Sequence, residues 1–157
     1  MSKVDDWSTG SRLLSFGWLI AWIVLGTVLL SVLSWITGAI YLGLFVTQYV
    51  TCRYLVCTRC HYYGRKCYML GGDCAKVLFN KREPGPRMPD DALVGVWWAI
   101  ITLFPIPFLI LSNAWMFLIT YLFISLGWHT MHHFIGCRRC KNTWCPLNPE
   151  KTAVTAQ

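Results

Sequence analysis

Residues 13–52 read LLSFGWLIAWIVLGTVLLSVLSWITGAIYLGLFVTQYVTC, a block without one Asp, Glu, Lys or Arg. One membrane helix needs about 20 apolar residues, so the block is too long for a single crossing and suits two helices joined by a tight turn. A second uncharged block runs from Ala92 to Gly136. Lipid offers peptide groups no partner, so such segments satisfy their backbone internally, as helices. The reading is an all-α integral membrane protein with four transmembrane helices arranged as two hairpins. Spans are expected at Leu13–Leu33, Thr37–Val56, Ala92–Leu111 and Ala114–Ile135, with turns at Ser34-Trp35-Ile36-Thr37-Gly38 and Ser112-Asn113. Pro105 and Pro107 remove backbone donors and should kink the third span. The first apolar run exceeds a signal-peptide core and no small-residue cleavage site follows it, so the first span is expected to stay in the mature protein.

The 157-residue chain is 55% hydrophobic with a mean hydropathy of +0.46, which is not the composition of a soluble globular domain. Its basic residues are concentrated between Arg53 and Arg87 and again at Arg138, Arg139, Lys141 and Lys151, while the hairpin turns carry no charge. The positive-inside rule then puts the N-terminus, the central loop and the tail on the cytoplasmic face of the cell's inner (plasma) membrane. Four regions follow: an N-terminal segment with the first hairpin (1–56), a Cys-rich basic loop (57–91), the second hairpin (92–136) and a Cys-rich tail (137–157). The net charge of +7 fixes topology and meets anionic headgroups without calling for a nucleic-acid partner. Aromatic rings suit the two interfaces, with Trp35, Tyr41 and Trp115 at the outer turns and Tyr49, Tyr54, Trp97, Trp98 and Trp128 at the inner boundary. Within the loop, Ala75–Arg82 reads as a short basic amphipathic segment on the bilayer surface. Glu83–Pro89 reads as a stiff linker leading to Asp90 and Asp91, which suit a helix N-terminus.

Eight cysteines is a high count for this length, and on a cytosolic face metal binding explains them better than stable disulfides. Cys57-Thr58-Arg59-Cys60 follows the first hairpin and Cys137-Arg138-Arg139-Cys140 follows the second, each knuckle trailed by a third thiol, Cys67 and Cys145. Two Cys-x-x-Cys pairs at matching positions of a duplicated hairpin supply the four thiolates of a closed tetrahedral Zn²⁺ site. The expected ligands are Cys57, Cys60, Cys137 and Cys140, in a structural module that staples the hairpins together. Cys67, Cys74, Cys145 and His61 are candidates for a second site. Arg59, Arg65, Arg138 and Arg139 are expected to lower the nearby thiols and favour metal capture.

Two redox readings use the same residues. Cys137-x-x-Cys140-x4-Cys145-Pro146 resembles the closely spaced cysteine run of bacterial ferredoxins, with a longer last gap, and implies an iron–sulfur cluster whose fourth ligand comes from the central loop. Cys57-Thr58-Arg59-Cys60-His61 matches the Cys-x-x-Cys-His pattern of covalent c-type haem, although the second knuckle ends in Lys141 and haem attachment takes place on the opposite side of the membrane. Either cofactor would make the chain an electron-transfer subunit that exchanges electrons with quinone.

Trp128-His129-Thr130-Met131-His132-His133 closes the fourth span. His-x-x-His-His looks like one histidine box of membrane desaturases and hydroxylases, which need several boxes to hold two irons; the only other histidine is His61. The plainer reading is interfacial histidines paired with carbonyls, lipid phosphates or the neighbouring cysteines. The spans carry no charge, which argues against an ion channel or a charged-substrate transporter. No paired carboxylates, Ser/His/Asp set or Gly-rich phosphate loop appears. The expected function is a membrane scaffold or accessory subunit, associating with other subunits or with itself and stapled by zinc.

Overall fold

The computed structural model describes residues 5–85, 88–142, 145 and 148. The expectations for Arg87 in the linker and for Pro146 and Lys151 in the tail fall outside them. Among the described residues the chain is helical, with no strand. Three helical segments among the described residues are long and apolar enough to cross a membrane: Thr9–Leu33, Trp35–Arg59 and Pro89–Leu111.

Helix α1 (Thr9–Leu33) starts on Ser8, whose Oγ accepts the Ser11 N–H at 3.3 Å. It ends at Ser34, and α2 (Trp35–Leu55) begins on the next residue. The first turn is therefore one extended residue rather than the five expected. Ser34 donates its N–H to the Leu30 carbonyl and accepts the Gly38 N–H, so one residue closes both helices. The turn can be this tight because Gly38 has no side chain: a Cβ there would sit 2.0 Å from the Ser31 Oγ.

A short turn, Cys57–Arg59, leads into the central loop and to α3 (Gly71–Leu78). The amphipathic helix thus sits earlier than expected, and residues 80–84 are irregular. Helices α4 (Met88–Leu103), α5 (Pro105–Leu111) and α6 (Trp115–Met131) follow. The proline pair divides the third span at Phe104. Pro105 removes the donor that would have met the Ile101 carbonyl, and the Tyr121 hydroxyl of α6 fills in, donating at 3.0 Å to Thr102 O and lying 3.5 Å from Ile101 O. Ser112-Asn113 is the second turn, as expected, with Asn113 left-handed at φ 55°. After Met131 the helix widens into π-helical turns over His132–Cys137, where the Arg138 N–H reaches the His133 carbonyl.

Helix α1 packs on α2 and α6, and α2 packs on α4. Trp18 Nε1 of α1 donates to Ile124 O of α6 at 3.0 Å. Leu19, Trp22, Leu30, Tyr41, Ile101, Leu109 and Tyr121 fill the interior. Leu14, Val28, Val32, Met116, Ile119 and Phe123 lie exposed on the outer surface, a distribution suited to hydrocarbon and costly in water. Trp35 and Trp115 are exposed beside the turns, but Tyr41, Trp98 and Trp128 turn inward: Tyr41 stacks on Phe104, and Trp98 stacks on Trp128.

Candidate metal centre

The polar segments meet at one end of the bundle. The Trp7 N–H donates to Lys66 O at 3.2 Å and its buried ring tilts against Tyr68. Arg12 pairs with Asp73 of α3, and Lys141 of the tail pairs with Asp5. The N-terminal segment, the central loop and the tail therefore share one face. Arg59 ties the end of α2 to the start of α4: its buried guanidinium lies 3.3 Å from Asp91 and 3.6 Å from Asp90, while Nε donates to Leu55 O and Nη1 to Gly85 O.

All eight cysteines are free thiols. A cavity of about 110 Å³ at this end is lined by Cys57 and Cys60 from the first knuckle and Cys137 and Cys140 from the second, together with Cys67, Cys145 and Cys52. Cys74 lies elsewhere, its Sγ accepting from the Tyr49 hydroxyl at 3.7 Å. His61, the other predicted ligand, is exposed, edge-on to Tyr62, and is not part of the cavity wall. The backbone explains its departure: Cys60 is extended (φ −76°, ψ 150°) and carries the chain away after it. His132 lines the cavity instead. Among the described residues, no three His, Cys, Asp or Glu side chains stand close enough to hold one metal ion.

The two knuckles fold alike. In each, the N–H of the second cysteine donates to the carbonyl of the first, at 3.2 Å for Cys60 and 3.1 Å for Cys140. In each, the sulfur of the second cysteine accepts the N–H two residues on, from Tyr62 at 3.5 Å and from Asn142 at 3.4 Å. Cys67 takes the Met69 N–H in the same way. Such bonds favour sulfur in its thiolate form.

The surroundings act in the opposite direction. Burial pushes the Cys60, Cys67 and Cys137 thiols up, and repulsion between neighbouring sulfurs adds to it. Of the arginines expected to lower these thiols, Arg59 is instead held by Asp90 and Asp91. The cation that does face the sulfurs is Arg53 of α2. It is 4% exposed, with Nη1 3.7 Å from Cys57 Sγ, Nη2 donating to Met69 O and the guanidinium 4.1 Å from the centre of the Tyr49 ring. Gly71 makes room for it, since a Cβ there would lie 2.9 Å from Cys57 Sγ and 3.1 Å from Arg53 Nη1.

Cys52 and Arg53 line the wall, although spacing alone did not single them out as site residues. The available signal was position, since Cys52 and Arg53 stand at the end of the first uncharged block, just before the first knuckle. Comparison with family models, with curated proteins and with solved structures finds no match.

Proposed function

We propose that this chain crosses the cell's inner (plasma) membrane four times, as two hairpins with both termini and the Cys-rich loop on the cytoplasmic side. A Zn²⁺ ion held by Cys57, Cys60, Cys137 and Cys140 would clip the hairpins into a scaffold or accessory subunit of a larger membrane complex. In support of the fourth crossing, the 17 residues of α6 rise about 26 Å, and the π-helical turns after it extend toward the roughly 30 Å of a hydrocarbon core. Lys76 and Lys81, beside the exposed Val77 and Leu78, suit contact with anionic lipid headgroups.

The observation that carries the metal reading is the single cavity walled by both knuckles, with a buried Arg53 against it. Zinc held by four thiolates keeps a net negative charge, and Arg53 is the cation that balances part of it. The thiols would turn inward about the ion to bonds of about 2.3 Å. A second reading, an iron–sulfur cluster in an electron-transfer subunit, is favoured by the number of wall thiols: seven line the cavity, whereas a tetrahedral zinc takes four.

Elemental analysis and a visible spectrum of the purified protein test both. Zinc in a colourless protein, lost in a Cys57→Ser/Cys137→Ser variant, is the expected result. Iron with visible absorbance selects the second reading. A metal-free protein whose wall thiols all alkylate while it stays folded rejects both.

A further inference from the structure

Beside the thiol cavity, and sharing Trp98, His132 and Cys137 with it, lies a second cavity of about 230 Å³ whose other walls are Trp128, His129 and His133. Its lining holds no charged carboxylate, lysine or arginine. Flat rings build it: Trp98 and Trp128 stack at 5.2 Å, and His132 lies on Trp128 at 5.0 Å with only 6° between the planes. The polar atoms are unevenly satisfied. His129 Nε2 is engaged by Thr102 Oγ1 at 3.1 Å, whereas Trp98 Nε1, Trp128 Nε1 and His132 Nδ1 are buried with no hydrogen-bond partner. An indole nitrogen only donates, and a buried donor without an acceptor is costly, most of all where no water can reach. These unpartnered groups belong to residues that line the cavity, and aromatic walls favour a planar partner that stacks. The cavity sits where α6 widens into π-helical turns, a distortion often found at functional sites, and Phe134 and Ile135 beside it are exposed apolar residues.

We propose that this cavity binds the head of a quinone: a neutral, planar ring whose carbonyl oxygens accept from Trp98 and Trp128, with its apolar tail lying along the outer face of the bundle. Occupancy does not depend on the thiol cavity holding a metal, and no electron transfer is needed for binding.

The test is a titration of the full chain in nanodiscs with decylubiquinone, followed by tryptophan fluorescence. Saturable quenching is expected. Trp98→Phe and Trp128→Phe keep a ring but lose the N–H, and each should weaken binding about fivefold or more, the worth of one hydrogen bond. Trp35→Phe, at the far turn, should bind like the parent. Quenching that never saturates, or an affinity unchanged in both inner variants, means that quinone only partitions into the lipid and overturns the proposal. Should an inner variant fail to fold, photolabelling of the parent chain with an azidoquinone decides: label on Trp98 or within residues 128–137 supports the site, and label elsewhere rejects it. Metal content, measured on the same samples, reports separately on the zinc reading.

Discussion

The Arg53 guanidinium lies 3.7 Å from the Cys57 sulfur at a depth where almost none of the residue meets solvent. Its other partners, the Met69 carbonyl and the Tyr49 ring, carry no formal charge. Arginine stays protonated in any protein, so a buried one gains most from an anion, and the metal–thiolate centre proposed for this wall would supply one. Arg53→Met is therefore expected to lower metal affinity about tenfold, within the range of a charge-assisted hydrogen bond, as read by chelator competition. In the metal-free protein the same change removes an uncompensated buried charge and should leave the melting temperature level or higher. A variant that melts lower in both forms, with unchanged affinity, would show that Arg53 serves only the Met69 carbonyl.

The raised thiols set a pH dependence. Cys60, Cys67 and Cys137 are held protonated by burial and by their neighbours, while unfolded thiols ionise near ~8.5. The folded values lie above the unfolded ones, so their contribution to stability is fully present below about pH 8.5 and is lost as pH rises toward the folded values. Metal-free protein should accordingly unfold at lower denaturant in alkaline buffer than at pH 7. Metal reverses the preference, because a coordinated thiol is deprotonated. Binding should release protons and tighten as pH rises. Calorimetry in buffers of different ionisation heat measures that release; none at pH 7 would mean that the metal does not bind through these thiols.

The helices were legible in residues 13–52 and 92–136 because lipid imposes one solution on an uncharged stretch, and the helix ends observed at Leu33 and Leu111 match those expected. The shared polar face was legible from the placement of lysine and arginine. What spacing hides is which way a side chain turns at a helix end. Arg53 reads as one more topology-setting charge, and only the Met69 carbonyl and Tyr49 ring brought over it make it an interior residue. His61 follows Cys60 directly and looks like a ligand until the extended Cys60 backbone sends it outward. The one-residue turn at Ser34 rests on Gly38 fitting against Ser31, a contact between two helices that no local pattern encodes. Trp98 and Trp128 carry the composition of an interfacial belt, yet they stack inside because α4 and α6 present them to each other.

Arg59 and Asp91 form a buried pair that joins the chain just after α2 to the start of α4. Arg59→Met should destabilise by about 3–5 kcal/mol, since it breaks a buried ion pair and takes the donor from two carbonyls. Asp91→Asn should cost less, because Asp90 remains 3.6 Å from the guanidinium. Arg59→Lys should not restore stability, as an ammonium cannot reach the carbonyls and carboxylate in one planar fork. Unfolding in mixed micelles gives the ranking; equal stability of all three variants would mean that the hairpins are held by their helices alone.

Tyr121 and Pro105 make a pair that can be tested independently of any ligand. Pro105 leaves the Ile101 carbonyl without a helical donor, and the Tyr121 hydroxyl lies over that step, 3.0 Å from the neighbouring Thr102 oxygen. Tyr121→Phe should cost about 1–2 kcal/mol, the usual loss for a buried acceptor left unpaired. Pro105→Ala restores the missing N–H and lets α4 run into α5, so the hydroxyl becomes largely redundant. In that background Tyr121→Phe should cost at least about 0.5 kcal/mol less, a coupling that a double-mutant cycle resolves. Additive effects would show that the hydroxyl acts independently of Pro105 and does not compensate for its missing N–H.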